Sequence, residues 1–195
     1  MALTCLVLAT LTSMTLTTLQ ARPPAEEPTP PVTPDPNAQD FDLQSILSPS
    51  LVDYPGFLQQ ATEVDGLRHQ RMLGLEDFLA TAKEPGVIVL DTRSKAAYDA
   101  KHLAGSVHLN FSDFGTEKLA SVIPSLDTKV LIYCNNNIDR DPQHFISKSP
   151  PMALNIPTFI NLHGYGYTNV WELSDLVDAD DPRLTFEGTA VGGEN

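Results

Sequence analysis

Two short apolar runs, Val87-Ile88-Val89-Leu90 and Val130-Leu131-Ile132-Tyr133, are continuous rather than alternating. A strand with one wet face alternates apolar and polar side chains, whereas a strand buried on both faces has no reason to. The runs therefore demand covering layers on both sides of a sheet. The stretches between them supply helices. Leu75-Glu76-Asp77-Phe78-Leu79 sets apolar residues at helical spacing with acids in the first turn, and Pro85-Gly86 stops it. Residues 95–101 and 117–123 suit two more helices, with a strand over 107–110 between them. A further helix over 157–162 is entered through Asn155, Ile156 and Pro157, and a last strand covers 169–173. Strands alternating with helices predict an α/β fold of three layers, a mostly parallel central sheet flanked by helices. Loops at the carboxyl ends of its strands then form the site.

A chain of 195 residues holds one ordinary domain with appendages. Residues 1–21 carry no charge and read as a secretory signal peptide or an N-terminal anchor, so the protein is expected to be exported, periplasmic or extracellular. Residues 22–50 form a proline-rich linker whose composition cannot bury enough apolar surface to offset ordering; seven prolines fall between Arg22 and Pro36. Residues 51–70 show scattered apolar positions without a sustained period and read as a lead-in arm to a domain at 71–188. The stretch from Asp178 is acidic and then glycine-rich, and is expected to be loose, ending in a flexible tail at 189–195.

Cys134 closes the second apolar run and is followed at once by Asn135-Asn136-Asn137. Asparagines tolerate left-handed backbone and mark a sharp polar loop, so the thiol stands at a strand's carboxyl end, where a nucleophile belongs. The competing reading is an inert thiol packed as a small hydrophobe. Only one other cysteine exists, Cys5, inside the segment expected to be removed. A lone thiol in an exported chain has no internal disulfide partner.

The formal net charge of −13 excludes nucleic acid as a partner, since phosphate binding needs clustered Lys and Arg. A small anionic substrate would need local positive potential near Cys134, from Arg140, His144, Lys148 or backbone N–H groups. The five histidines show no metal-ligand spacing, and no metal or cofactor is expected.

Val89-Leu90-Asp91-Thr92-Arg93, Tyr98 and His102-Leu103-Ala104-Gly105-Ser106-Val107-His108-Leu109-Asn110 are similar to the two amino-terminal signatures of rhodanese-like sulfurtransferase domains. Val130 to Cys134 resembles their active-site strand and nucleophile, and Gly166-Tyr167-Thr168-Asn169-Val170-Trp171-Glu172-Leu173 their last helix-to-strand turn. The four segments keep the family's order across residues 75–175. The resemblance implies a rhodanese-like fold and a persulfide mechanism: Cys134 takes a sulfane sulfur from thiosulfate or a similar anion and passes it to a thiol or other thiophilic acceptor. Asn135, Asn136 and Asn137 would form the cradle of N–H groups, with Arg140 or Lys148 attracting the donor. Asp91, Arg93 and His102 would serve as scaffold beside the site. The Tyr165 and Tyr167 rings are candidates for its wall, with packing the commoner role.

The loop departs from the family's. Residues 135–151 contain no glycine and delay the following helix, which reads as an inserted flap anchored by Phe145. The spacing Cys134-x5-Arg140 also resembles the loop of dual-specificity phosphatases and arsenate reductases of the same fold, where an Arg fork grips an oxyanion. A third possibility is a sulfur-carrying or protein-binding module without turnover.

Overall fold

Helices and strands are interleaved along the chain, and in the computed structural model residues 51–192 are described. In order these are α1 (Tyr54–Gln70), β1 (Met72–Leu73), α2 (Leu75–Thr81), β2 (Ile88–Asp91), α3 (Lys95–Ala100), β3 (His102–Leu103), β4 (Val107–His108), α4 (Thr116–Val122), β5 (Val130–Tyr133), β6 (Ile138–Asp139), α5 (Asn155–Gly164), β7 (Val170–Leu173), β8 (Val177–Asp178) and β9 (Phe186–Glu187). The segment 1–21, read as signal or anchor, and the linker 22–50 lie outside the described residues. No described helix is long and apolar enough to cross a membrane.

The central sheet has five strands in the order β1-β7-β5-β2-β4, every neighbour parallel. The two apolar runs lie side by side at its centre, with Ile88 opposite Val130 and Asp91 opposite Tyr133. Side chains alternate between the two faces. Val130 and Ile132 join Leu90 and Val170 under Val64 of α1, Leu119 of α4 and Phe159 and Leu162 of α5. Leu131 and Tyr133 turn the other way, joining Val89 and Leu173 against Leu75 and Phe78 of α2. Two cores, one on each face, give the three layers expected from the continuous runs.

The lead-in at 51–70 is mostly helix, where the sequence shows no helical period. Asp53 caps α1 by accepting from the Gly56 N–H at 2.8 Å, and Pro55 sits in its first turn. The apolar residues Tyr54, Phe57 and Leu58 are exposed, while Ala61, Val64 and Leu67 face the core. Helical periodicity was thus masked by large hydrophobics on the outer face.

The end of the chain is also ordered through Gly192, correcting the loose stretch expected from Asp178. β8 pairs with β6, and β9 pairs antiparallel with β3. Beyond β9, the Thr189 and Ala190 N–H groups donate to the Asp99 and Ala100 carbonyls at the end of α3. Gly188, at φ 133°, lies so close to the Ala100 carbonyl that no Cβ would fit. This glycine, part of the stretch expected to be loose, is used for close approach.

Candidate active site

Cys134 is the last buried residue of the β5 line and is 1% exposed. It follows Ile132 by two, so it points to the face covered by α1 and α5. Asn135–Asn137 form a single 3-10 turn directly after it, the sharp polar loop read from the sequence. Backbone N–H groups of Asn155, Asn136 and Leu154 lie near the sulfur and favour its thiolate. Two of these belong to the start of α5, so the thiol sits at a helix N-terminus, where partial positive charge favours a thiolate. Burial acts more strongly in the opposite direction. The net effect is a thiol pKa pushed above its ordinary value, with the N–H groups opposing and Glu172 adding to the rise.

The three asparagines divide the labour. Asn136 has its N–H near the sulfur and clamps the flap with its side chain: its Nδ2 donates to the Lys148 carbonyl at 2.7 Å and its Oδ1 accepts from the Lys148 N–H at 3.0 Å. The Asn137 side chain is buried and fully committed. Its Oδ1 accepts from the Cys134 N–H at 2.9 Å and from Asn155 Nδ2 at 3.0 Å, and its Nδ2 donates to the carbonyls of Leu173 at 2.8 Å and Asp175 at 3.2 Å. It ties the loop to the start of α5 and the end of β7, leaving no side-chain group for a substrate. Asn135 turns toward Arg93, whose Nη1 stands 3.5 Å from Asn135 Oδ1.

A cleft of about 150 Å³ opens on Cys134, with Asn136, Asn155 and Pro150 on its walls and Arg68 and Glu172 beside them. Neither Arg140 nor Lys148 lines it. Arg140 takes a left-handed backbone at φ 62°, is 72% exposed, and pairs with Asp178 at 2.8 Å. It borders a separate cleft with Lys101, Asp141 and His144. The spacing of five residues thus does not place a guanidinium over the thiolate, because the chain enters strand β6 immediately before Arg140 instead of coiling around the sulfur. Lys148 contributes its backbone to the Asn136 clamp, and the residue is exposed. His144 is held by Asp141, with Nδ1 2.9 Å from Oδ1, in the second cleft. Lys101 reaches the same carboxylate at 2.9 Å, and together these donors hold Asp141 below the ordinary carboxylate range against the effect of burial.

The flap is anchored by Phe145, as the sequence suggested. Phe145 is buried in the core on the α2 side, 5.6 Å from the Phe186 ring, and the Arg93 guanidinium lies 4.4 Å from its centroid. Asp91 and Arg93 form a buried ion pair at 2.7 Å. Arg93 also donates to the Lys101 and His144 carbonyls at 2.7 and 3.2 Å, and the Tyr133 hydroxyl donates to Asp91. Burial and the Asp91 charge push the Tyr133 phenol far up, so it remains a donor. His102 stacks on Tyr98 with ring centroids 3.7 Å apart. Asp91, Arg93 and His102 therefore make a scaffold on the sheet face opposite Cys134. Tyr167 is packed in the core and, with Tyr165, borders a third cleft beside α4 rather than the one at Cys134.

Two residues of the thiol cleft escaped the sequence reading. Glu172 is buried on β7, opposite Ile132 in register, and so lies on the Cys134 face. Arg68 comes from α1, and its Nε and Nη2 grip the two Glu172 oxygens at 3.1 and 2.6 Å. Burial raises the Glu172 carboxyl above its ordinary range while Arg68 opposes. A Glu inside an otherwise apolar strand, Val170-Trp171-Glu172-Leu173, was the available signal for a buried ion pair. Among the described residues no group of three or more His, Cys, Asp or Glu side chains is placed to hold a metal.

A family model described as the rhodanese-like domain matches residues 75–175. No curated protein matches the chain. Among solved structures, the chain is similar to the rhodanese-like domain of the Alr3790 protein from Anabaena sp., with 16% identity and a TM-score of 0.45 over 64% of this chain and 83% of that one. It is also similar to the BH2092 protein from Bacillus halodurans, with 15% identity and a TM-score of 0.41 over 60% of this chain and 74% of that one.

Proposed function

The chain belongs to the rhodanese-like domain family, and from that premise we propose that it moves a sulfane sulfur through a persulfide on Cys134. The observation that carries the reading is a thiol at the carboxyl end of the central strand, directly before the 3-10 turn Asn135–Asn137 and in one cleft with Asn136 and with Asn155 at the start of α5. In the forward half, the Cys134 thiolate attacks the outer sulfur of a donor such as thiosulfate. A bond forms between Sγ and that sulfur, the donor's sulfur–sulfur bond breaks, and sulfite leaves with the electron pair. In the second half an acceptor thiolate takes the outer sulfur and Cys134 is restored as thiolate. Sulfur moves at the same oxidation level throughout, so no outside oxidant or reductant is needed.

The N–H groups of Asn136, Leu154 and Asn155 suit this chemistry because they hold negative charge on sulfur without a titrating partner. The cleft of about 150 Å³ admits a small donor and little water. The phosphatase or arsenate reductase alternative loses its oxyanion grip, since Arg140 borders a different cleft. A sulfur-carrying module without turnover is the second reading, favoured by the near-complete burial of Cys134.

Intact-mass spectrometry before and after thiosulfate, with Cys134→Ser as control, tests the proposal. Gain of one sulfur on the wild type alone, discharged by an added thiol over repeated cycles, supports the transferase. Gain without discharge supports the carrier, and no gain from thiosulfate or an organic persulfide removes both.

A further inference from the structure

Every cationic side chain that the sequence nominated for the donor lies away from Cys134, yet its cleft does contain one cation. Arg68 on α1 is the only Lys, Arg or His among the residues lining it. Its side chain is 26% exposed, while its partner Glu172 is 2% exposed. The pair is therefore graded from inside to outside. The carboxylate is sealed beneath, and the guanidinium reaches the rim. Nε and Nη2 are spent on Glu172, and Nη1 makes no hydrogen bond among the described residues. A guanidinium forked on one side and open on the other can bind a second anion through its remaining edge.

We infer that Arg68 reads the charge of whatever reacts at Cys134, selecting small donors that carry an anionic group, and that Glu172 is its positioning residue and sets its strength. This deepens the sulfur-transfer reading and rests on it for the identity of the donor. Arg68 lies outside residues 75–175, on a helix added ahead of the matched domain. The site is thus completed by a segment that precedes the family domain. Glu172 neutralises most of the guanidinium's field, so recognition is by directed hydrogen bonds rather than by net positive potential. That favours a singly charged group such as a carboxylate over a compact dianion.

The chain's own thiol is the probe. In the full-length protein carrying Cys5→Ser, so that Cys134 is its one thiol, alkylation by iodoacetate and by the neutral iodoacetamide is followed by intact mass. In both reactions the Cys134 thiolate displaces iodide, so the two reagents differ in charge and not in chemistry. The ratio of the two rates, iodoacetate over iodoacetamide, cancels the common dependence on thiol ionisation. Arg68→Gln is expected to lower this ratio about tenfold, the worth of one charge-assisted hydrogen bond. Glu172→Gln releases the guanidinium from its counter-ion and should raise the ratio. The double variant Arg68→Gln/Glu172→Gln leaves no unpaired buried charge and should keep the ratio low, which separates anion reading from disturbed folding. Opposite signs for the two single variants together with a low ratio in the double variant support the assignment, because a field effect alone would return the charge-neutral double variant to the wild-type ratio, and that return would overturn it. Equal ratios in all four proteins overturn it, as does failure of either reagent to reach Cys134. If the signs are as expected but no sulfur is gained from thiosulfate or cysteine persulfide, the sulfur-transfer reading fails and Arg68 stands as the anion reader of another thiol chemistry.

Discussion

Replacing Asn137 by Ala should cost more than any other change in the asparagine loop. Its amide makes all four of its hydrogen bonds inside the protein, to the Cys134 N–H, Asn155 Nδ2, and the Leu173 and Asp175 carbonyls. Ala removes the partner of each. The Cys134 N–H, Asn155 amide and Leu173 carbonyl belong to buried residues, while the Asp175 residue is exposed and its carbonyl can turn to water. Leaving a buried polar group without a partner costs about 1–3 kcal/mol. Relaxation of the loop lets some groups find each other, so three such groups give a loss of about 3–5 kcal/mol rather than the full sum. That is a large share of the roughly 5–15 kcal/mol that holds a domain together. Urea unfolding followed by tryptophan fluorescence of Trp171 measures it directly, with Asn135→Ala as the reference. The only side-chain hydrogen bond of Asn135 in the described residues is at 3.5 Å, and its loss should fall below about 1 kcal/mol. The reasoning is refuted if Asn137→Ala loses less than about 1 kcal/mol, or if the two variants are equally stable.

Arg93→Met leaves Asp91 buried without its counter-ion and unties the flap carbonyl of His144, for a loss of about 3–5 kcal/mol; adding Asp91→Leu should recover part of it, and no recovery in thermal unfolding would contradict the ion-pair account. Burial outweighs the N–H groups at Cys134, so its alkylation rate should climb with pH through a midpoint above that of a small free thiol measured alongside; a midpoint below the free thiol would show that the helix terminus dominates. Arg140→Ala should leave sulfur gain by Cys134 unchanged, because the guanidinium pairs outward with Asp178; loss of sulfur gain would return Arg140 to the site. Glu172 is protonated more readily in the native state than when unfolded, so its contribution is present below its unfolded pKa and is lost as pH rises through the raised native value. The difference in stability between wild type and Glu172→Gln should therefore shift against the wild type across that window, and a shift in its favour would show that the Arg68 pairing outweighs burial.

The sequence by itself determined the layers and the place of the thiol. Continuous apolar runs can only be satisfied between two covered faces, so Val87–Leu90 and Val130–Tyr133 fixed a parallel central sheet, and the strand end fixed the place of Cys134. Phe145 as flap anchor was legible for a related reason: a lone large aromatic in a polar insertion has few places to go except a core. Direction was not legible. Arg140 and Lys148 have the right charge and the right distance along the chain, but backbone conformation sends one to another cleft and uses only the main chain of the other in the flap clamp. Helix α1 was hidden because apolar residues stand on its outer face as well as its inner one. With it was hidden Arg68, whose partner lies 104 residues away. Local periodicity reports which residues must leave water; which charges meet around the sulfur depends on how distant elements dock, and only the tertiary structure decided that.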